Sequence, residues 1–154
     1  MRSSLSLMCC SVLVALAASG CARDEHPPLA QACREGPDAV VKALGAAPKR
    51  VTLDGTSLSS CLRQAGRNGN SAELTELGTG YVEAASRLAR EAERRPGGRE
   101  AGQLGYLMGA IRSVSATTQG TSTELVRRIE NEVVRVDEHT AAFRRGLRAG
   151  RQAG

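Results

Sequence analysis

The strongest constraint on this chain is a helical apolar period running through its second half. Leu74, Leu77, Tyr81, Ala84, Leu88 and Ala92 recur at spacings of 3, 4, 3, 4 and 4. Leu104, Leu107, Met108, Ile111 and Val114 form a second apolar face. Leu125, Ile129, Val133, Val136, Thr140, Phe143 and Leu147 continue at 4, 4, 3, 4, 3 and 4. Such periods place the apolar groups on one stripe of a helix, which is stable only against other helices. Pro96-Gly97-Gly98 and the polar turn TTQGT separate the three segments. The expected fold is therefore all-α. Helices over about 71–95, 99–117 and 122–147 should form a small up-down bundle.

Several local signals sharpen these boundaries. Asn70 with Glu73, and Thr121 with Glu124, have the N-cap and N3 spacing of a capping box. Gly78 and Gly80 weaken the first helix near its start, by about 1 kcal/mol each relative to Ala. In the second helix, Gly102, Gly105, Gly109, Ser113 and Ala116 make a stripe of small residues. A stripe without bulk lets another backbone approach closely. Close packing inside the bundle is the first expectation, and a dimer interface along the stripe the second.

Upstream, Pro37 can open a helix with Asp38 in its first turn, and Gly45 and Pro48 end it. Residues 50–53, RVTL, lean towards a short strand, and Asp54-Gly55 marks a turn. A helix through SLSSCLRQA then puts Leu58, Cys61, Leu62 and Ala65 on one face, with Thr56 or Ser57 as its cap. These pieces form a smaller N-terminal segment packed against the bundle.

The first twenty residues are of another kind. Met1 and Arg2 precede an uncharged run of fourteen residues, LSLMCCSVLVALAA, followed by Ser19, Gly20 and Cys21. A basic start, a short apolar stretch and small residues at the exit describe a secretory signal. The run is short of the roughly 20 residues that a membrane-spanning helix needs. With Ala18-Ser19-Gly20-Cys21 as a lipobox, the leader resembles that of a bacterial lipoprotein, although Ala18 stands where Leu is commoner. The resemblance covers residues 1–22 only. It implies a diacylglyceryl group on the Cys21 sulfur, cleavage before Cys21, and in many bacteria acylation of the new amino group. Two acyl chains give lasting attachment where one would not. The expected organisation is a leader over 1–20, the lipidated cysteine and a tether over 21–30, a helical domain over 31–150, and a basic tail over 151–154. The expected location is the outer face of the cell membrane. In a cell with two membranes, Ala22 and Arg23 directly after the anchor lack the Asp that the lipoprotein family often uses for inner-membrane retention, so the resemblance implies the outer one.

Five cysteines can then be sorted. Cys9 and Cys10 leave with the leader and Cys21 carries lipid, so Cys33 and Cys61 remain as a pair in an oxidising compartment. A Cys33–Cys61 disulfide is the economical reading, and two buried free thiols are the alternative. A zinc site needs more ligands than this. The only histidines are His26, in the tether, and His139. No metal and no cofactor are expected.

The residues argue against several function classes. Tyr81, Tyr106 and Phe143 are the only aromatics, too few for the stacking platforms of single-stranded nucleic-acid binders. His139 has Arg135 and Phe143 at i−4 and i+4, so no acidic residue on its own stripe can orient it. The chain has neither a nucleophile elbow nor a Ser-x-x-Lys pair. The expectation is a non-enzymatic, lipid-anchored envelope protein whose domain binds or spaces an envelope protein partner. The alternative is a small-ligand carrier or sensor, with a pocket inside the bundle lined by Leu104, Tyr106, Met108 or Phe143. Arg144, Arg145, Arg148 and Arg151 cluster near the last helix end. There they complement the helix dipole, or offer contact to anionic lipid or polymer. Tyr106 could place its hydroxyl at the bundle rim beside an arginine.

Overall fold

A computed structural model describes residues 28–67, 71–116 and 121–154. A single 3-10 turn, Gln31–Arg34, leads into helix α1, Gly36–Leu44. Pro37 lies in the first turn of α1 with Asp38, and Gly36 enters it at φ 79°. A small hairpin follows, β1 (Thr52–Leu53) against β2 (Thr56–Ser57), antiparallel with Thr52 opposite Ser57. Both turn residues, Asp54 and Gly55, have positive φ. That backbone matches the twist of a tight hairpin and favours an Asp-Gly pair. The all-α expectation holds apart from this hairpin.

Helix α2, Leu58–Arg67, buries Leu58, Cys61, Leu62 and Ala65, the face its spacing predicts. Ser57 acts as its cap, its hydroxyl accepting from the Ser60 backbone N–H at 3.2 Å. Helix α3, Ser71–Arg94, and helix α4, Arg99–Ser115, follow the expected boundaries closely. The side chains of Asn70 and Thr121, expected as caps, lie outside the described residues.

The third long helix does not form as one piece. Helix α5 covers Thr121–Val133 and helix α6 covers Ala141–Ala153. Local hydrogen bonds account for the break. The Asp137 carboxylate accepts from the His139 backbone N–H at 2.8 Å, and the Thr140 hydroxyl accepts from that of Phe143 at 3.2 Å. Asp and Thr offer the backbone these alternatives to helical pairing. Val133, Val136 and Phe143 stay buried across the break, so the apolar period outlasts the helix that it predicts.

The break turns α6 back to run parallel to α4. Gly102 faces Ala142, Gly105 faces Phe143, Gly109 faces Leu147, and Gly150 faces Tyr106. The small stripe of α4 is thus filled from within the chain, and the expectation of a dimer interface there is corrected. Arg151 sits in the last turn of α6 rather than in a separate tail. Helix α4 is central, with Leu104, Tyr106, Leu107 and Met108 fully buried. The Cys33–Cys61 disulfide is formed, with Cα atoms 5.6 Å apart, and ties the 3-10 turn to α2.

Candidate functional site

The residues singled out in the sequence do not converge. Cys21 and His26 lie outside the described residues. His139 is exposed, in the turn before α6 rather than on a helix face. Among the described residues, no group of three or more His, Cys, Asp or Glu is placed to hold a metal ion. No helix among them is long and apolar enough to cross a membrane.

Tyr106 is not at the rim. It is fully buried, and its hydroxyl accepts a hydrogen bond from the Val51 N–H at 3.1 Å. This bond pairs an otherwise orphaned backbone donor before the hairpin. Tyr81 works similarly, donating to the Leu58 carbonyl at 3.1 Å, and its burial pushes the phenol pKa up. Leu104, Met108 and Phe143 are sealed in the same core. The side chains expected to line an internal pocket instead fill the bundle.

The surface is polar. Among the described residues Val134 is the only exposed large hydrophobic side chain. An apolar docking stripe is therefore not present there. Arg144, Arg145, Arg148 and Arg151 are all exposed on α6, and among the described residues none of them forms an ion pair. Several other arginines are paired. Glu124 accepts from Arg127 and Arg128 at 3.0 Å each. The bonds from Arg127 and then Arg128 hold its carboxyl at about 2, well below the ordinary 4.5. Arg112 meets Glu130 at 2.6 Å and links α4 to α5.

One cleft combines size, charge and a buried polar group. It opens between α1, α3 and the start of α4, with a volume of about 630 Å³. Lys42, in the last turn of α1, stands on one wall. Arg87, Arg90 and Glu91 of α3 stand on another, and Arg99 and Glu100 open α4 beside them. Gln103 lines the floor and is only 4 % exposed. Arg87 pairs with Asp38, Glu91 with Arg94, and Arg99 with Glu100 at 3.6 Å. Lys42 and Arg90 have no carboxylate partner among the described residues, although Arg90 donates to the Ser86 hydroxyl at 2.8 Å.

Sequence reasoning passed over Gln103, Lys42 and Arg90. Gln103 is a polar residue in a helix buried on most of its faces, and that is the one signal that marked it. No family model, no curated protein and no solved structure matches the chain.

Proposed function

We propose that this is a lipid-anchored protein of the bacterial envelope, held at Cys21, whose helical domain acts as a non-enzymatic binding module at the membrane surface. The observation that carries the reading is the short distance between anchor and core. Leu29 is already buried, at 4 % exposure, eight residues after Cys21. Eight residues span at most about 29 Å when fully extended. A domain so tethered works within a few tens of ångströms of the lipid headgroups. Its ligands or partners are met there.

The polar surface decides what kind of contact is made. With Val134 the one exposed large hydrophobic side chain among the described residues, recognition rests on charge and hydrogen bonding. The unpaired arginines of α6 favour an anionic surface, each contributing about 1 kcal/mol near such a membrane. The carrier reading, with a ligand inside the bundle, is disfavoured by the filled core around Leu104 and Met108.

Crosslinking in intact cells tests the reading. The expected result is an envelope protein captured by residues of the helical domain. A helical domain that captures neither a protein nor a small ligand or headgroup contradicts the binding module.

A further inference from the structure

The cleft between α1, α3 and α4 holds a group that the fold does not use. Gln103 is 4 % exposed, and its amide has no hydrogen-bond partner within the described chain. Yet no buried side-chain nitrogen or oxygen is left both sealed and unpaired. Gln103 is among the residues that line the cleft. A leucine or methionine would fill the same space without an amide to satisfy.

The cleft sets Lys42, Arg87, Arg90 and Arg99 against Glu91 and Glu100, so its lining is net basic. Arg87, Arg99 and Glu91 are each occupied by a neighbouring ion pair. Lys42 and Arg90 remain, facing the same space from two different helices. An ammonium and a guanidinium with no carboxylate partner are groups that bind an oxyanion, and Arg90, one of whose terminal nitrogens donates to the Ser86 hydroxyl, keeps further N–H donors for it. An amide offers both a donor and an acceptor, which suits a hydroxyl group. Val41, Gly45 and Leu88 supply the apolar lining and no aromatic ring is present, so a stacked base is not the match. The volume lies in the range of small-ligand sites.

We infer that this cleft binds a small oxyanion that also carries hydroxyl groups, with a phosphorylated polyol as the type. Lys42 and Arg90 hold the anionic oxygens, and Gln103 reads a hydroxyl. This deepens the binding-module reading and rests on it only for location. The phosphate can be that of a lipid headgroup or of a soluble molecule.

The test uses the mature chain in detergent, with glycerol phosphate as the probe. Titration should show saturable binding with a dissociation constant on the order of 1 mM or tighter, weakening as salt rises. The exposed pair Lys42→Glu and Arg90→Glu should weaken binding by about tenfold or more. Gln103→Met should weaken it several-fold with the helical content unchanged. Vesicles of phosphatidylglycerol then separate the sources. Vesicle binding that glycerol phosphate competes away, and that the Lys42/Arg90 pair abolishes, assigns a headgroup. Glycerol phosphate binding without such competition assigns a soluble ligand. The site is overturned if glycerol phosphate does not bind, or if the Lys42/Arg90 variant binds it unchanged. It is also overturned if Arg145→Glu on α6 abolishes binding instead. Any of these leaves the binding module itself to the crosslinking result.

Discussion

A Cβ atom on Gly146 would sit 1.9 Å from the carbonyl oxygen of Gly102. The same closeness repeats along the parallel pair of helices. A Cβ on Gly150 would lie 2.0 Å from the Tyr106 carbonyl oxygen, and one on Gly105 or Gly109 would lie 2.2 Å from an α6 carbonyl oxygen. Backbone faces backbone here, so no side chain can move aside. Gly146→Ala or Gly150→Ala should therefore cost at least the 1–3 kcal/mol typical of overpacking, about 2 kcal/mol or more, by separating α6 from α4. Gly78 is the control. Its nearest neighbour is the Leu125 Cδ1 at 3.8 Å, an ordinary contact in mid-helix. Gly78→Ala should stabilise by up to about 1 kcal/mol. Urea unfolding of the three variants checks both signs.

The Val51–Tyr106 bond predicts a selective loss. Val51 is fully buried, and the Tyr106 hydroxyl is what its N–H donates to. Tyr106→Phe keeps the ring and strands the donor, at a cost of about 1–3 kcal/mol. Tyr81→Phe should cost less, about 1 kcal/mol, because it removes a donor from the Leu58 carbonyl, and a carbonyl has two lone pairs to satisfy. Chemical denaturation of both proteins compares them directly.

The disulfide predicts a staple on the smaller segment. Cys33 and Cys61 are 28 positions apart and both buried. Closing such a loop restricts the unfolded chain, by about 3–4 kcal/mol in the chain-entropy account. Reduction, or Cys33→Ala with Cys61→Ala, should lower stability by about that amount. Thiol titration of the denatured mature protein should find neither cysteine free.

Glu124 predicts a pH window. Its carboxyl is held at about 2 in the folded protein against an ordinary 4.5. In that interval the unfolded chain binds a proton that the folded one does not, so stability rises with pH. The contribution is complete above about 4.5 and is lost as pH falls towards 2. Glu124→Gln should flatten this part of the stability profile and lower stability at neutral pH, and the two proteins should converge near pH 2. The group is exposed and its partners Arg127 and Arg128 are too, so added salt should shrink the difference. Urea midpoints across that pH range provide the measurement.

Local chemistry in the sequence located much of the fold. Pro37 with Asp38, the Asp54-Gly55 turn, the Leu58–Ala65 face of α2 and the Pro96–Gly98 break each act within a few residues, and each lies where its chemistry requires. The break at 134–140 was hidden because Val133 and Val136 keep the apolar period through it, while Asp137 and Thr140 quietly redirect the backbone. The partner of the α4 glycines was present as Gly146, Gly150 and Gly154, but matching two distant stripes depends on α6 turning back. The cleft was least legible. Lys42, Arg90 and Gln103 come from three helices, and only their packing gives them one space.

The central claim is attachment through Cys21, and one substitution tests it most directly. The wild-type protein should fractionate with membranes, and its mature chain should begin at a Cys21 whose sulfur carries diacylglycerol. Cys21→Ser should abolish lipid labelling and release the protein from the membrane fraction or leave its leader uncleaved. A Cys21→Ser protein that is still membrane-bound and cleaved as before would contradict the account.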